Sequence, residues 1–183
     1  MTPLQRDVYR SLRDRSLASS ARIRELARPC TLDQLAQRAG PRRWSAGEVL
    51  EHLCISDELY ERPLLTLVAS ARADATAPLR AWKPTLAGRF IVSMLGNPRP
   101  MRAPRKFQPG PTPRNGVVES LLQKEDAFVA LMDRAEGLDW RKLRMSSPVL
   151  SLLSLNMGDV FAIHVVHVER HTGQLERALA ATA

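Results

Sequence analysis

Between Ala75 and Val118 the chain contains no aspartate or glutamate, yet Arg80, Lys83, Arg89, Arg99, Arg102, Arg105, Lys106 and Arg114 all fall in that stretch. Those eight cations equal the formal excess of +8; elsewhere 27 minus 8, or 19, basic residues face 19 acidic ones. The excess charge belongs to one segment and not to the surface as a whole. Aromatic residues are scarce, at 5%, and only Trp82, Phe90 and Phe107 interleave with these cations. Grooves for single-stranded nucleic acid stack bases on aromatic rings, so nucleic acid is not the expected partner. Cysteine is limited to Cys30 and Cys54, which excludes a disulfide framework and any CxxC motif. Both read as reduced thiols, Cys54 as part of the core. No apolar run approaches the roughly 20 residues of a membrane span, and the opening MTPLQRDVYR is not a secretion signal. A cytoplasmic protein without membrane contact is expected. Alternation at period two is also rare, so no sheet is expected.

What is present is helical periodicity with recognisable starts. Thr2-Pro3-Leu4-Gln5 predicts a first helix to about Ala27, ending before Pro29. A capping box at Thr31 and Gln34 predicts a short helix closed at Gly40. Ser45 and Glu48 form another box, with Trp44 placed to staple onto Val49, and the helix they open should reach about Arg72. From Ala75 to Pro113 the pattern lapses into a crossover holding eight of the 13 prolines, with one helical turn expected around Gly88 to Leu95. Thr112-Pro113 predicts a third long helix to about Ala135, with Glu125 inside its apolar stripe. Asn156, with Asp159 three residues on, predicts the last. With 183 residues this describes one all-α domain, 1–183, with one core: a four-helix bundle with a long irregular crossover and an extra short N-terminal helix.

The chain has only four histidines. His164, His167 and His171 are spaced by three and four residues and share one helix face, while His52 lies in the apolar stripe Val49, His52, Leu53, Ser56, Leu59, Tyr60. An HxxxH pair alone is weak evidence for a metal. A fourth histidine on an apolar stripe strengthens it, because a buried imidazole needs a hydrogen-bond partner or an ion. Glu48 and Asp159 are accounted for as capping residues, Glu169 and Arg170 as surface neighbours of the histidine face, and Trp44, Trp82 and Trp140 as packing groups.

The stretch WSAGEVLEHLCISDELY resembles the signature W-S-x-x-E-x-x-x-H-L, and HVERHTGQL resembles the H-x-x-R-H-x-x-Q near the C-terminal end of DinB-like proteins. APRKFQPG and SPVLSLLSLNMGD are similar to the crossover and the approach to the last helix in the DinB/YfiT-like branch, so the resemblance spans about Pro41 to Leu179. It implies a metal held by His52, His167 and His171, with nickel or zinc the usual ion. Three neutral imidazoles suit either, and leave a coordination position open. The family also implies thiol-dependent transfer, with bacillithiol or mycothiol as the thiol. Arg102, Arg105 and Lys106 could then receive carboxylates of the thiol or of a small-molecule substrate, or the basic crossover is only a solvated strap. Gln174 matches the family's glutamine and either orients a ligand or bonds across helices. His164 is either a catalytic proton acceptor beside the ion or a core histidine. Two other readings stay open: a hydrolase using the same ion to activate water, and a non-enzymatic metal-binding stress-response protein. A homodimer is compatible with such a bundle.

Overall fold

The computed structural model describes residues 2–97, 99, 101–149 and 151–182. Among the described residues six α-helices run in the order α1 (Gln5–Ala27), α2 (Leu32–Ala36), α3 (Ala46–Ser70), α4 (Leu86–Gly96), α5 (Val117–Arg134) and α6 (Met157–Ala180). The expected bundle is formed by α1, α3, α5 and α6, in which α1 and α3 each pack on both α5 and α6. Among the described residues no helix is long and apolar enough to cross a membrane.

Three of the starts are capping boxes, at Thr31, Ser45 and Asn156, each with the reciprocal bond from the third helical residue. Other boundaries differ from the sequence reading. Thr2 does not cap α1: Leu4 holds that position without a side-chain bond, and the buried Gln5 amide instead donates to the Leu138 carbonyl at 2.7 Å. The short second helix stops at Ala36 and not near Gly40, because Gln37 is extended and sends Arg38 back to Glu48. Pro113 does not begin α5. It is docked on α3, where a Cβ on Gly47 would lie 2.5 Å from it, and the chain turns into α5 through Gly116 in the left-handed region at φ 72°. The single turn expected near Gly88 is an 11-residue helix, α4, capped by Thr85 and packed on α6. A small hairpin also occurs where no sheet was expected: β1 (Arg144–Ser146) pairs antiparallel with β2 (Ser154–Asn156). Three-residue strands are too short to show a period, and this one delivers Asn156 to its capping position.

The expected single core is divided. One apolar cluster gathers Leu12, Leu64, Phe128, Met132, Trp140 and Phe161; the other gathers Ile23, Val49, Leu53, Leu121, Val168 and Leu175. Between them along the helices lie buried Ser16 and Ser20 on α1, Ser56 and Asp57 on α3, Glu125 on α5 and His164 on α6. The bundle is thus apolar toward both ends and polar across its middle.

The crossover is held by close contacts. Asp159 of α6 accepts from the Asn156 and Thr85 amides at 2.9 and 3.0 Å, and a Cβ on Gly88 would meet its carboxylate at 2.2 Å. Neither partner can yield without losing those bonds. Gly88→Ala should therefore destabilise the fold by about 1 to 3 kcal/mol in thermal unfolding. Gly96→Ala, at the end of the same helix with nothing within 4 Å of a Cβ added there, should change stability little.

Candidate metal centre

The α3 stripe carries His52 into the interior, and the one-turn spacing on α6 carries His167 and His171 to meet it. His52 is 3% exposed and His171 7%, while His167 is half-buried. Their ring centroids lie 4.5 to 5.0 Å apart, and one nitrogen from each falls within 4.8 Å of the others. The Nε2 atoms of His52 and His167 are 3.1 Å apart.

The outer bonds decide which nitrogens face inward. His52 Nδ1 donates to the Phe107 carbonyl at 2.6 Å, and a carbonyl can only accept, so Nε2 keeps its lone pair. His171 Nδ1 likewise donates to Gln174 Oε1 at 2.9 Å. Burial lowers the pKa of all three rings, that of His171 to about 3 and that of His167 well below the ordinary value, the last two further depressed by neighbouring histidines. The group is three neutral imidazoles with two lone pairs fixed toward the third ring. This donor set can hold a divalent ion, and two of its rings have the outer partners that metal-binding histidines usually require.

Residues around the histidines take roles the sequence did not disclose. Trp44, assigned to packing, lies against His52 and His171 with ring centroids at 4.9 and 6.3 Å, forming a wall of the site. Trp82 and Trp140 do pack in the core. Arg170 is not a free surface residue: its guanidinium donates to the Leu95 carbonyl at 3.0 Å, the Arg99 carbonyl at 2.7 Å and the Asn97 carbonyl, clamping the end of α4 to α6. Glu169 pairs in two bonds with Arg15 of α1 at 2.6 and 2.8 Å. Glu48 stays in its capping box and pairs with Arg38, as its capping assignment implies.

The crossover meets the site through one turn, Arg105–Phe107, whose last carbonyl is the His52 acceptor. Arg105 and Lys106 on that turn, and Arg102 just before it, are exposed; the Lys106 ammonium reaches the Pro148 carbonyl. A concavity of about 520 Å³ elsewhere, lined in part by Asp74, Asp139 and Lys142, includes none of the histidines. Function therefore rests on the donor set and not on cavity size.

His164 does not join the other three. Its Nδ1 lies 3.3 Å from Asp57 and its Nε2 3.4 Å from Glu125, with the Phe128 ring stacked on it at 3.5 Å. Burial lowers its pKa, but the two carboxylates more than offset that and raise it overall. Glu125 is visible in the sequence as an acid in an apolar stripe, and Asp57 as the residue four after Leu53. Neither stood out as chemistry without its partner.

The depressed imidazole pKa values set a sign for acid stability. Below the unfolded value of about 6.5, the unfolded chain binds protons that the folded triad refuses, so stability present above that pH is lost as pH falls toward the folded values. Chelated protein should lose melting temperature steadily between pH 7 and pH 4. His167→Ala,His171→Ala should show a shallower loss over that range, measured by calorimetry; parallel curves would disprove this account.

Comparison with known proteins extends the same conclusion over more of the chain than the two motifs cover. No curated protein and no solved structure matches. The family model of the DinB superfamily matches residues 17–175, reaching back into α1 beyond the resemblance seen from Pro41 onward. With that match across most of the bundle, the chain belongs to the DinB superfamily.

Proposed function

We propose that the chain is a divalent-metal-dependent enzyme whose ion, zinc or nickel, is held by His52, His167 and His171 and activates a low-molecular-weight thiol of the bacillithiol or mycothiol kind for transfer to an electrophilic small molecule. The observation that carries this reading is the His52 ring, which turns Nε2 toward the α6 histidines while its Nδ1 holds the cationic turn Arg105–Phe107 beside them. A nucleophile-activating centre and an anion-receiving segment are thereby joined at one side chain. Bound there, the ion would supply Lewis acidity that lowers the pKa of a thiol to the neutral range.

The chain's own residues do the rest. Gln174 and the Phe107 carbonyl keep two rings in the tautomer that presents Nε2. Trp44 covers His52 and His171 and limits access of water. Arg102, Arg105 and Lys106 would receive carboxylates of the thiol or substrate, Lys106 after leaving the Pro148 carbonyl. A hydrolase would want a general base beside the ion, and His164 is the candidate; both of its nitrogens are turned to carboxylates, which favours the thiol reading.

Chelated protein should gain roughly 5 to 10 °C in melting temperature at a hundredfold excess of zinc or nickel over Kd, and the His167→Ala,His171→Ala protein none. In cobalt-substituted protein, adding the thiol should create charge-transfer absorption. Arg102→Glu,Arg105→Glu should weaken that response without lowering metal content, whereas His52→Ala should abolish both. A silent spectrum with metal-dependent ester or amide hydrolysis would replace thiol activation by water activation. Silence in both assays with the metal bound would make the protein a non-enzymatic metal binder.

A further inference from the structure

The middle of the bundle holds a second group of ligating side chains that the histidine triad does not use. Asp57 of α3, Glu125 of α5 and His164 of α6 are 8%, 0% and 8% exposed, and one donor atom from each lies within 4.8 Å of the others. That span is slightly more than twice a metal–oxygen bond of about 2.0 to 2.2 Å, so small side-chain movements would close it on one ion.

Charge and hydrogen bonding both call for a cation here. One oxygen of each acid faces the His164 ring at 3.3 or 3.4 Å, too long for strong charge-assisted bonds. The other oxygens, Asp57 Oδ2 and Glu125 Oε1, are buried and have no partner among the described residues. With both acids ionised, even a doubly protonated ring leaves the group one negative charge in excess. Lys124 is the nearby cation, but its ammonium is directed to Glu58 and Glu61 at 3.3 and 4.0 Å. Two buried carboxylates with two orphaned oxygens are expensive to keep in a protein interior.

We propose that Asp57, Glu125 and His164 form a second divalent-cation site, separate from the histidine triad, that ties α3, α5 and α6 together in the polar middle of the bundle. A divalent ion with a neutral imidazole brings the group to zero net charge and gives the orphaned oxygens a ligand. The two donor sets differ in hardness. The triad offers only nitrogen and suits zinc or nickel, whereas two carboxylates and one imidazole shift preference toward manganese or ferrous iron. The ring gives one nitrogen to the ion, and the other remains hydrogen-bonded to a carboxylate, as is usual for a metal-bound histidine.

The test uses manganese(II) and the full chain, stripped with chelator and free of affinity tag. The His167→Ala,His171→Ala protein lacks the triad and should still bind one manganese per chain, with a single nitrogen coupling in pulsed electron paramagnetic resonance. Adding Glu125→Gln, which keeps shape and removes charge, should weaken that binding at least tenfold. Circular dichroism checks that the variant is folded, and Asp57→Asn serves in its place if it is not. Wild-type protein given zinc and manganese together should hold two ions by native mass spectrometry. Only hexaaqua manganese in the triad-less protein, or equal binding after the Glu125 and Asp57 substitutions, would overturn the proposal. Loss of zinc by the triad with manganese retained would instead count against the function proposed above and leave this site standing.

Discussion

Polar side chains across the middle of a helical bundle must be satisfied there, because each group withdrawn from bulk water and left unpaired opposes folding. Much of this molecule can be understood from how its central layer meets that demand. The apolar clusters on either side bring the four long helices together, while the layer decides their register. Apart from the Ser16 hydroxyl, which has no partner among the described residues, its small members satisfy themselves locally: Ser20 donates to the Ser16 carbonyl at 3.1 Å, Ser56 to the His52 carbonyl at 2.8 Å and Thr172 to the Val168 carbonyl at 2.8 Å. Their short side chains bond within their own helices and leave room at the centre. Among the long members, His171 bonds Gln174 on its own helix, while His52 and His164 find partners on other elements.

The crossover supplies part of that partnership. Ordering a long proline-rich segment costs conformational entropy, and the contacts offsetting it are mostly to its backbone. His52 binds the Phe107 carbonyl, Arg170 binds carbonyls at the end of α4, Asp159 accepts from the Thr85 amide and Glu51 from the Arg114 amide at 2.8 Å. The segment's own cations are mostly left out of these anchors. Arg89, Arg99, Arg102 and Arg105 are exposed. An acid-free segment fastened by its main chain is thus a source of positive potential whose side chains remain free to meet an anion.

This division explains what the sequence disclosed. Capping boxes are local, encoded within four residues, and Thr31, Ser45 and Asn156 were legible for that reason. The histidine triad was legible because HxxxH and an isolated histidine on an apolar stripe are periodic patterns, and the family resemblance linked them. The fifth large helix, α4, was read too short because its anchors lie on α6: Asp159 against Gly88 and Arg170 at its end are contacts 70 or more residues away in sequence. The partners of His164 were missed for the same reason. Asp57 reads as an ordinary acid on a helix and Glu125 as one polar interruption, and only the packing of three helices places both beside one ring. Trp44 was assigned to packing because a staple explains it locally, and nothing local reveals that its ring also covers His52.

The His52 ring shows why site and fold cannot be separated in this bundle. Its Nδ1 proton is committed to the Phe107 carbonyl, and that commitment is what leaves the Nε2 lone pair directed at His167. If the crossover detached, Nδ1 would lose its acceptor, the preference between tautomers would vanish, and the ring would be free to turn in a space bounded by Trp44. If the ring turned, the crossover would lose the bond that ties Phe107 to His52. Ordering the cationic turn and presenting a ligand nitrogen are therefore a single event with two consequences. The turn that carries Arg105 and Lys106 is thereby tied to the three imidazoles by a 2.6 Å hydrogen bond.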